Sequence, residues 1–225
     1  MFYKQHMAKQ KKITKIDIIS YYMDFVVENN AEPASVAIFS SDHNFEPTVF
    51  YNYFSSFNKV EIEIFYLFFY NTLQALDKDE SYVNFNARNK VLSFYYTFFE
   101  NLTANRNFVL ILLKNNETPL KSLKKLSKLK KSFENYISDL NIETIDFNQE
   151  AIEKIQATTL KSSAWLQLLI ILKFWLEDTS QSFEKTDVFI EKYINTSFDL
   201  IDTKFLKSVI DLGKFLFKEK KHFKL

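Results

Sequence analysis

Apolar residues recur at intervals of three or four along most of this chain, which is the spacing of one face of an α-helix. The first helix is predicted to begin at Ile16, where Thr14 and Asp17 have the spacing of a capping box. Ser35 is a typical N-cap for the second helix, and Pro47 suits the first turn of the third, where its missing N–H would be unpaired anyway. The helices predicted in this region are Ile16–Glu28, Ser35–Ser41, Pro47–Phe54 and Lys59–Leu76.

The remainder of the chain repeats the same period in longer segments. The segment that begins at Leu120 is amphipathic, with leucines along one face and lysines that are predicted to face water. Gln149–Glu177 is either one long helix or two in succession. The helical segments predicted here are Tyr82–Ala104, Phe108–Lys114, Leu120–Asp139, Gln149–Glu177, Phe183–Ile201 and Lys204–Lys221. The pattern therefore predicts an all-α protein.

The composition excludes several kinds of chemistry. The chain has one glycine and three prolines, which leaves little material for β-hairpin turns or phosphate-binding loops. Because it has no cysteine, disulfides, thiol nucleophiles and cysteine-bound zinc are excluded. His6, His43 and His222 have no carboxylate or second histidine at the spacing of metal ligands. We therefore predict that the protein is not an enzyme and uses no cofactor or metal.

The net charge of +1 suggests no polyanionic partner, but the lysines are clustered. They form a basic N-terminal arm, a lysine-rich helix after Leu120 and a basic C-terminal tail. The most apolar segment, Trp165–Leu176, is too short for a membrane span and contains Lys173. The basic N-terminus lacks the apolar run of a secretory signal. We expect a cytoplasmic protein.

The segment Ser35–Phe54 has the spacing of a helix-turn-helix. Its elements are the cap Ser35, the pair Phe39-Ser40, the turn residue Asn44, the apolar Phe45, and the closing residues Tyr51 and Phe54, with Lys59-Val60 opening the next helix. Asparagine is the best substitute for glycine at a turn position with a left-handed backbone. Over about residues 13 to 64, this arrangement resembles the head of the TetR family of dimeric regulators.

The resemblance implies a TetR-like fold, with a helix-turn-helix domain over residues 1–60 and a ligand-binding and dimerisation domain over residues 61–225. It implies a homodimer formed through the last two long helices, operator binding to double-stranded DNA, and a cavity for a small apolar ligand. The DNA-binding residues expected are Lys11, Lys12, Lys15, Ser35, Thr48, Tyr51, Asn52 and Lys59. The residues that could line the ligand cavity are Tyr95, Phe98, Phe99, Trp165 and Trp175, although an aromatic stripe at helical spacing is also typical of a plain core.

The head is acidic for a DNA-binding domain, and this favours a rival hypothesis. No lysine or arginine lies between Tyr21 and Asn58, whereas phosphate neutralisation normally supplies much of the affinity for DNA. In addition, Asp178-x-Ser180 followed by Thr186-x-x-Phe189 resembles a segment of the lipid-binding protein of ubiquinone biosynthesis, a TetR-like protein that is not a repressor. The same residues could simply cap a helix. The alternatives are therefore a lipid- or isoprenoid-binding protein with a head that does not bind DNA, or a helical interaction module.

Overall fold

The computed structural model describes residues 12–114, 119–142 and 150–202. Within these ranges the chain forms ten α-helices, two short 3-10 helices and no strand, so the all-α prediction is confirmed. The 3-10 helices are Tyr82–Asn84 and Gln181–Phe183. The α-helices are α1 (Lys15–Asn29), α2 (Val36–Asp42), α3 (Pro47–Tyr51), α4 (Phe57–Leu76), α5 (Ala87–Ala104), α6 (Arg106–Lys114), α7 (Pro119–Lys125), α8 (Ser127–Asp139), α9 (Glu150–Glu177) and α10 (Glu184–Asp202).

The described helices divide into two compact units. The first comprises the described residues within 1–67 and 105–128, and the second comprises those within 68–104 and 129–225. The predicted helix Lys204–Lys221 and most of the basic N-terminal arm, including Lys11, lie outside the described residues. In the described part, no helix is both long and apolar enough to cross a bilayer.

Local capping sets the helix ends of the first unit as the sequence predicts. Thr14 and Asp17 form a complete capping box at the start of α1, and the Ser35 hydroxyl accepts a hydrogen bond from the Ile38 N–H at the start of α2. Asn44 has a left-handed backbone with φ of 57°, the conformation that the turn requires. Beneath these turns, α1 packs on α6 and α2 packs on α3 around a core of aromatic rings: Tyr22, Phe39, Phe50, Phe57 and Phe108.

The second unit is also built on aromatic side chains. Helix α5 packs on α10, and α10 packs on α9. The Phe94 and Phe98 rings are stacked with their centroids 5.5 Å apart, and the Phe133 ring lies 5.2 Å from that of Phe94. The buried Trp175 donates a hydrogen bond from its indole Nε1 to the Thr103 hydroxyl. The predicted helix Gln149–Glu177 is a single helix from Glu150 onward.

The predicted helix Leu120–Asp139 is wrong in two respects. It is interrupted at Leu126, which separates α7 from α8. Leucines spaced by three residues cannot stay on one face of a continuous helix of 3.6 residues per turn, and Leu123 is exposed whereas Leu126 and Leu129 are buried. The lysines do not all face water, because Lys125 is only 5% exposed.

Two other predicted boundaries differ from the observed ones. The segment predicted as Tyr82–Ala104 begins as a 3-10 turn and restarts at Ala87, because the Asn86 side chain accepts a hydrogen bond from the Asn89 N–H and so acts as an N-cap. Helix α3 ends at Tyr51 rather than Phe54, although the Phe54 N–H still donates to the Phe50 carbonyl.

Candidate nucleic-acid interface and ligand cavities

Helix α3 presents a polar face to solvent. Phe50 is fully buried and anchors the helix in the aromatic core of the first unit. On the opposite side, the side chains of Thr48, Tyr51 and Asn52 are exposed. These are the hydrogen-bonding residues that the sequence predicted for DNA contact, and threonine, tyrosine and asparagine side chains can contact phosphates or base edges.

A groove lies beside this face, and Lys12 is one of the residues that line it. The groove has a volume of about 640 Å³, and its described lining includes Lys12, Asn44, Glu46, Asn52 and Tyr53. Lys12 supplies a positive charge next to Asn52, whereas the exposed Glu46 supplies a negative charge at the start of α3. Of the predicted DNA-binding residues, the structure therefore brings Lys12 and Asn52 to one groove, while Thr48 and Tyr51 are exposed on α3.

The other predicted DNA-binding residues have different surroundings. Lys15 donates a hydrogen bond of 2.6 Å to Glu63 and lies over the Phe54 ring, so its charge is partly neutralised. The Ser35 hydroxyl is occupied as the cap of α2. Lys59 is exposed near the start of α4. Nothing in the sequence pattern near Lys15 indicates that it pairs with a carboxylate so far along the chain.

Two glutamates on α4 connect α1 to α7 and α8 within the first unit. Glu61, only 2% exposed, accepts hydrogen bonds from Tyr22 on α1 at 2.8 Å and from Lys125 on α7 at 2.5 Å. Glu63 accepts from Lys15 on α1 at 2.6 Å and from Lys128 on α8 at 2.5 Å. We call this set the glutamate clamp.

The pKa values of the two glutamates of the clamp are shifted in opposite directions. Burial raises the pKa of Glu61, and the hydrogen bonds from Lys125 and Tyr22 offset that rise only in part. Burial alone would also raise the pKa of Glu63, but the hydrogen bonds from Lys128 and Lys15 outweigh it and lower the pKa. A charged Glu61 therefore depends on its buried lysine partner more than Glu63 depends on either of its own.

The aromatic residues predicted to line a ligand cavity are all buried. Tyr95, Phe98 and Trp165 are absent from the described linings of two cavities in the second unit. Among the described residues the Tyr95 hydroxyl finds no hydrogen-bond partner, and burial raises its pKa well above the ordinary value. Phe99 and Trp175 are also buried, but each has an edge on a cavity.

The first cavity of the second unit, which we call the aliphatic cavity, has a volume of about 300 Å³. Its polar groups are few, and Gln167 and Ser197 are joined by a hydrogen bond of 2.7 Å. The sequence did not reveal it, because its walls come from helices far apart in the chain. The described lining consists of Val91, Ile137, Ile142, Leu160, Ser163, Ala164, Leu166, Gln167, Tyr193, Ser197, Phe198 and Ile201.

The second cavity, which we call the acidic cavity, has a volume of about 310 Å³. It lies among α5, the end of α9 and the start of α10, and it combines aromatic rings with two carboxylates. Its described lining consists of Tyr96, Phe99, Glu100, Thr103, Trp175, Ser182, Phe183, Thr186 and Asp187.

The described residues contain no metal-binding cluster of histidines and carboxylates. His43, the histidine of the helix-turn-helix turn, has its Nδ1 2.8 Å from the Phe39 carbonyl and stacks on the Tyr21 ring. These contacts give His43 a structural role in the turn.

Comparison with known proteins supplies one finding. Residues 90–216 match the family model described as the tetracyclin repressor-like C-terminal domain. The match begins within α5, runs through α10 and extends beyond it, so it includes α6 and α7 of the first unit as well as most of the second unit. No curated protein matches the chain.

Proposed function

Since the chain belongs to the tetracyclin repressor-like family, we propose that it is a transcriptional regulator, a repressor that binds operator DNA as a homodimer and is released by a small apolar ligand. The observation that carries the DNA-binding part is the exposed polar face of α3, with Thr48, Tyr51 and Asn52 turned away from the buried Phe50. A helix of this kind reads bases from the major groove, and asparagine can form two hydrogen bonds to adenine.

Phosphate contacts in this proposal come from outside α2 and α3. Lys12 borders the α3 groove and Lys59 is exposed at the start of α4, so both are available for phosphates. Lys15 contributes less, because its charge is partly neutralised by Glu63. The basic residues before Lys12 add further charge from the arm.

Dimer formation is supported by an apolar stripe on α9. Leu166, Ile170 and Phe174 are spaced by four residues, so they lie on one helix face, and all three are exposed. The stripe continues onto α10, where the Phe189 ring stacks on that of Phe174 at 4.5 Å. Exposed apolar surface of this kind is commonly covered by a second copy of the chain in a twofold arrangement.

The aliphatic cavity is the site that we propose for the apolar ligand. Its volume of about 300 Å³ is at the lower end of the range for small-molecule sites. This size favours a compact ligand over a long isoprenoid chain, and so favours a regulator over a lipid carrier. The ligand would act by binding one arrangement of the dimer more tightly than the other and thereby changing the affinity for DNA.

The decisive experiment is binding of the full chain to duplex DNA taken from around its own gene, measured by fluorescence anisotropy across a salt series. Each lysine that pairs with a phosphate should contribute about 0.9 to the slope of log affinity against log salt. Removal of residues 1–12 should therefore weaken binding at low salt and flatten the slope. Lys12→Gln should reproduce part of that change, whereas Lys78→Gln, an exposed lysine of the second unit, should not.

Base reading has a separate signature. Asn52→Ala should reduce the preference for the operator over random DNA while it leaves the salt slope nearly unchanged, because a base contact carries sequence information and a phosphate contact does not. Asn71→Ala, an exposed asparagine on α4, is the matched control. Absence of any DNA affinity at low salt, together with an apolar molecule that co-purifies with the protein, would replace this proposal with the lipid-binding alternative.

A further inference from the structure

The acidic cavity has walls of aromatic rings held in place by direct contacts. The Trp175 ring lies 6.0 Å from that of Phe99 and 6.3 Å from that of Phe183, centroid to centroid. The hydrogen bond of 3.1 Å from Trp175 Nε1 to Thr103 Oγ1 fixes the orientation of the indole. Tyr96 belongs to the same lining. The faces of such rings carry partial negative charge and attract cations.

The formal charges of the described lining are all negative. Glu100 and Asp187 line the cavity, and no lysine, arginine or histidine does so among the described residues. Neither carboxylate takes part in a salt bridge in the part of the chain that the structure describes. The acidic cavity therefore combines negative charge with apolar aromatic walls.

The surroundings reinforce this negative potential. Burial and then the charge of Asp178 raise the pKa of Asp187. Burial and then the charges of Glu191 and Asp187 raise the pKa of Tyr96. In both cases the charge of neighbouring acidic groups adds to the larger effect of burial.

The turn that forms one wall is fixed in an uncommon backbone conformation. Ser182 and Phe183 both have left-handed φ values, 50° and 61°, although neither is glycine. The hydrogen bonds from Ser180 and Thr186 to Asp178 hold this turn from both sides. Phe183 is therefore set against the cavity before any ligand arrives, which lowers the entropic cost of binding.

We propose that the acidic cavity binds a compact organic cation, a quaternary or tertiary ammonium group carried on a small apolar body. The carboxylates of Glu100 and Asp187 supply charge complementarity, and the rings of Tyr96 and Phe183, which are not fully buried, contact the alkylated nitrogen. A metal ion fits poorly, because no group of three possible ligands is present among the described residues and aromatic walls cannot replace its hydration shell. This site lies outside the aliphatic cavity, and it adds a second class of ligand to the proposed regulator.

The test uses a pair of ligands that differ only in charge. Choline carries a quaternary nitrogen, and dimethylbutanol is its neutral isostere with carbon in place of that nitrogen. In isothermal titration calorimetry with the full chain, choline should bind at least about tenfold more tightly than the isostere, since only the cation gains from the rings and carboxylates. The affinity for choline should fall as salt is raised, because the exposed carboxylates are screened.

Variants connect the binding to this cavity. Asp187→Asn and Glu100→Gln should each weaken choline binding by roughly threefold, the size expected for an exposed charge pair, and should leave the weak binding of the isostere unchanged. Glu184→Gln removes the same charge from the same helix without lining the cavity, so it should leave choline affinity unchanged. Asp187, Glu100 and Glu184 are all exposed, so the variants should fold, and circular dichroism can verify this.

Equal affinity for choline and its isostere would overturn the proposal, and so would failure of both choline and benzyltrimethylammonium to bind at millimolar concentration. Loss of choline binding in Glu184→Gln equal to that in Asp187→Asn would also overturn it, because the effect would then be one of net charge. These measurements contain no DNA, so their failure leaves the DNA-binding proposal intact. Failure of DNA binding would, in turn, leave the cation site intact.

Discussion

At the scale of single residues, Asp178 shows how one buried carboxylate can define a turn. Its Oδ1 accepts hydrogen bonds from the N–H and hydroxyl of Ser180, and its Oδ2 accepts from the N–H and hydroxyl of Thr186, at 2.6 to 3.0 Å. Burial alone would raise the pKa of Asp178, but the hydrogen bonds from Thr186 and Ser180 outweigh it and lower the pKa to about 2. The residues that resemble the lipid-binding protein therefore have a capping role that explains their spacing.

Asp178→Asn should destabilise the protein by about 1–2 kcal/mol, the usual cost of losing an N-cap, since an amide cannot accept at both positions. A carboxylate whose folded pKa is depressed adds stability above its unfolded pKa, and that contribution disappears as the pH falls through the folded value of about 2. The difference in free energy of unfolding between the native protein and the variant should therefore become smaller in acid. Urea unfolding followed by circular dichroism at several pH values would measure it.

The neighbouring Glu177→Gln is the matched control, because it removes the same charge from an exposed position. Its free energy of unfolding should lie within about 0.5 kcal/mol of that of the native protein at every pH, as is usual for surface substitutions. An Asp178→Asn variant that is as stable as Glu177→Gln at neutral pH would contradict the capping role.

Residues that act through near neighbours were predictable from the sequence, and residues that act across the fold were not. Thr14, Ser35 and Asn44 have the predicted roles because a cap or a turn depends on groups within a few positions. Lys125 was expected in water, because its partner Glu61 is distant in the chain and nothing in the amphipathic pattern marks the pair. For the same reason, Lys15 was expected at phosphates rather than on Glu63.

At the scale of helices, the glutamate clamp determines how α4 is attached to its neighbours in the first unit. Glu61 and Glu63 are two positions apart, so they point to different sides of α4 and contact different lysines. Each also binds a residue of α1, through Tyr22 or Lys15. A displacement of α7 or of the start of α8 would therefore change the hydrogen bonds that the same carboxylates accept from α1.

Lys125→Met should destabilise the first unit by about 3–5 kcal/mol, because it leaves Glu61 charged and buried without its lysine. Lys128→Met removes a partner from the more exposed Glu63 pair, so it should cost less than about 1 kcal/mol. The double variant Glu61→Leu/Lys125→Met should recover most of the loss, since it removes both buried charges. Thermal unfolding followed by circular dichroism can rank the variants. Equal effects of the two single variants would contradict the expectation that the buried pair matters more for stability than the more exposed pair.

Helix boundaries were predictable where a cap lies in the sequence next to the first apolar residue, and less so inside amphipathic segments. The break at Leu126 depends on which leucines are buried in the core. At the same place, the side chain of Lys125 is buried and pairs with Glu61. The aliphatic and acidic cavities were beyond prediction, because their linings combine residues from α5, α9 and α10. The polar face of α3 was predictable, because a single short helix carries it.

At the scale of the whole molecule, the proposed regulator depends on self-association through α9. A DNA-binding helix in each of two copies reads two half-sites, so the affinity of a dimer for its operator exceeds that of a single head. The exposed residues Leu166, Ile170 and Phe174 provide an apolar face for that purpose. The helix Lys204–Lys221, which the sequence predicts to take part in the dimer, lies outside the described residues.

Ile170→Glu places a charge in the middle of this stripe, where a partner copy would bury it unpaired, and should convert the dimer to a monomer at micromolar concentration. Val83→Glu, which alters another exposed apolar residue of the second unit, should leave the dimer intact. Multi-angle light scattering gives the mass of each, with 26.8 kDa as the mass of one chain. The monomeric variant should also lose affinity for a duplex with two half-sites while it keeps its weaker affinity for a single half-site, because its α3 is unchanged. A native protein that is monomeric at these concentrations would contradict the dimer, and an Ile170→Glu variant that remains dimeric would move the interface away from α9.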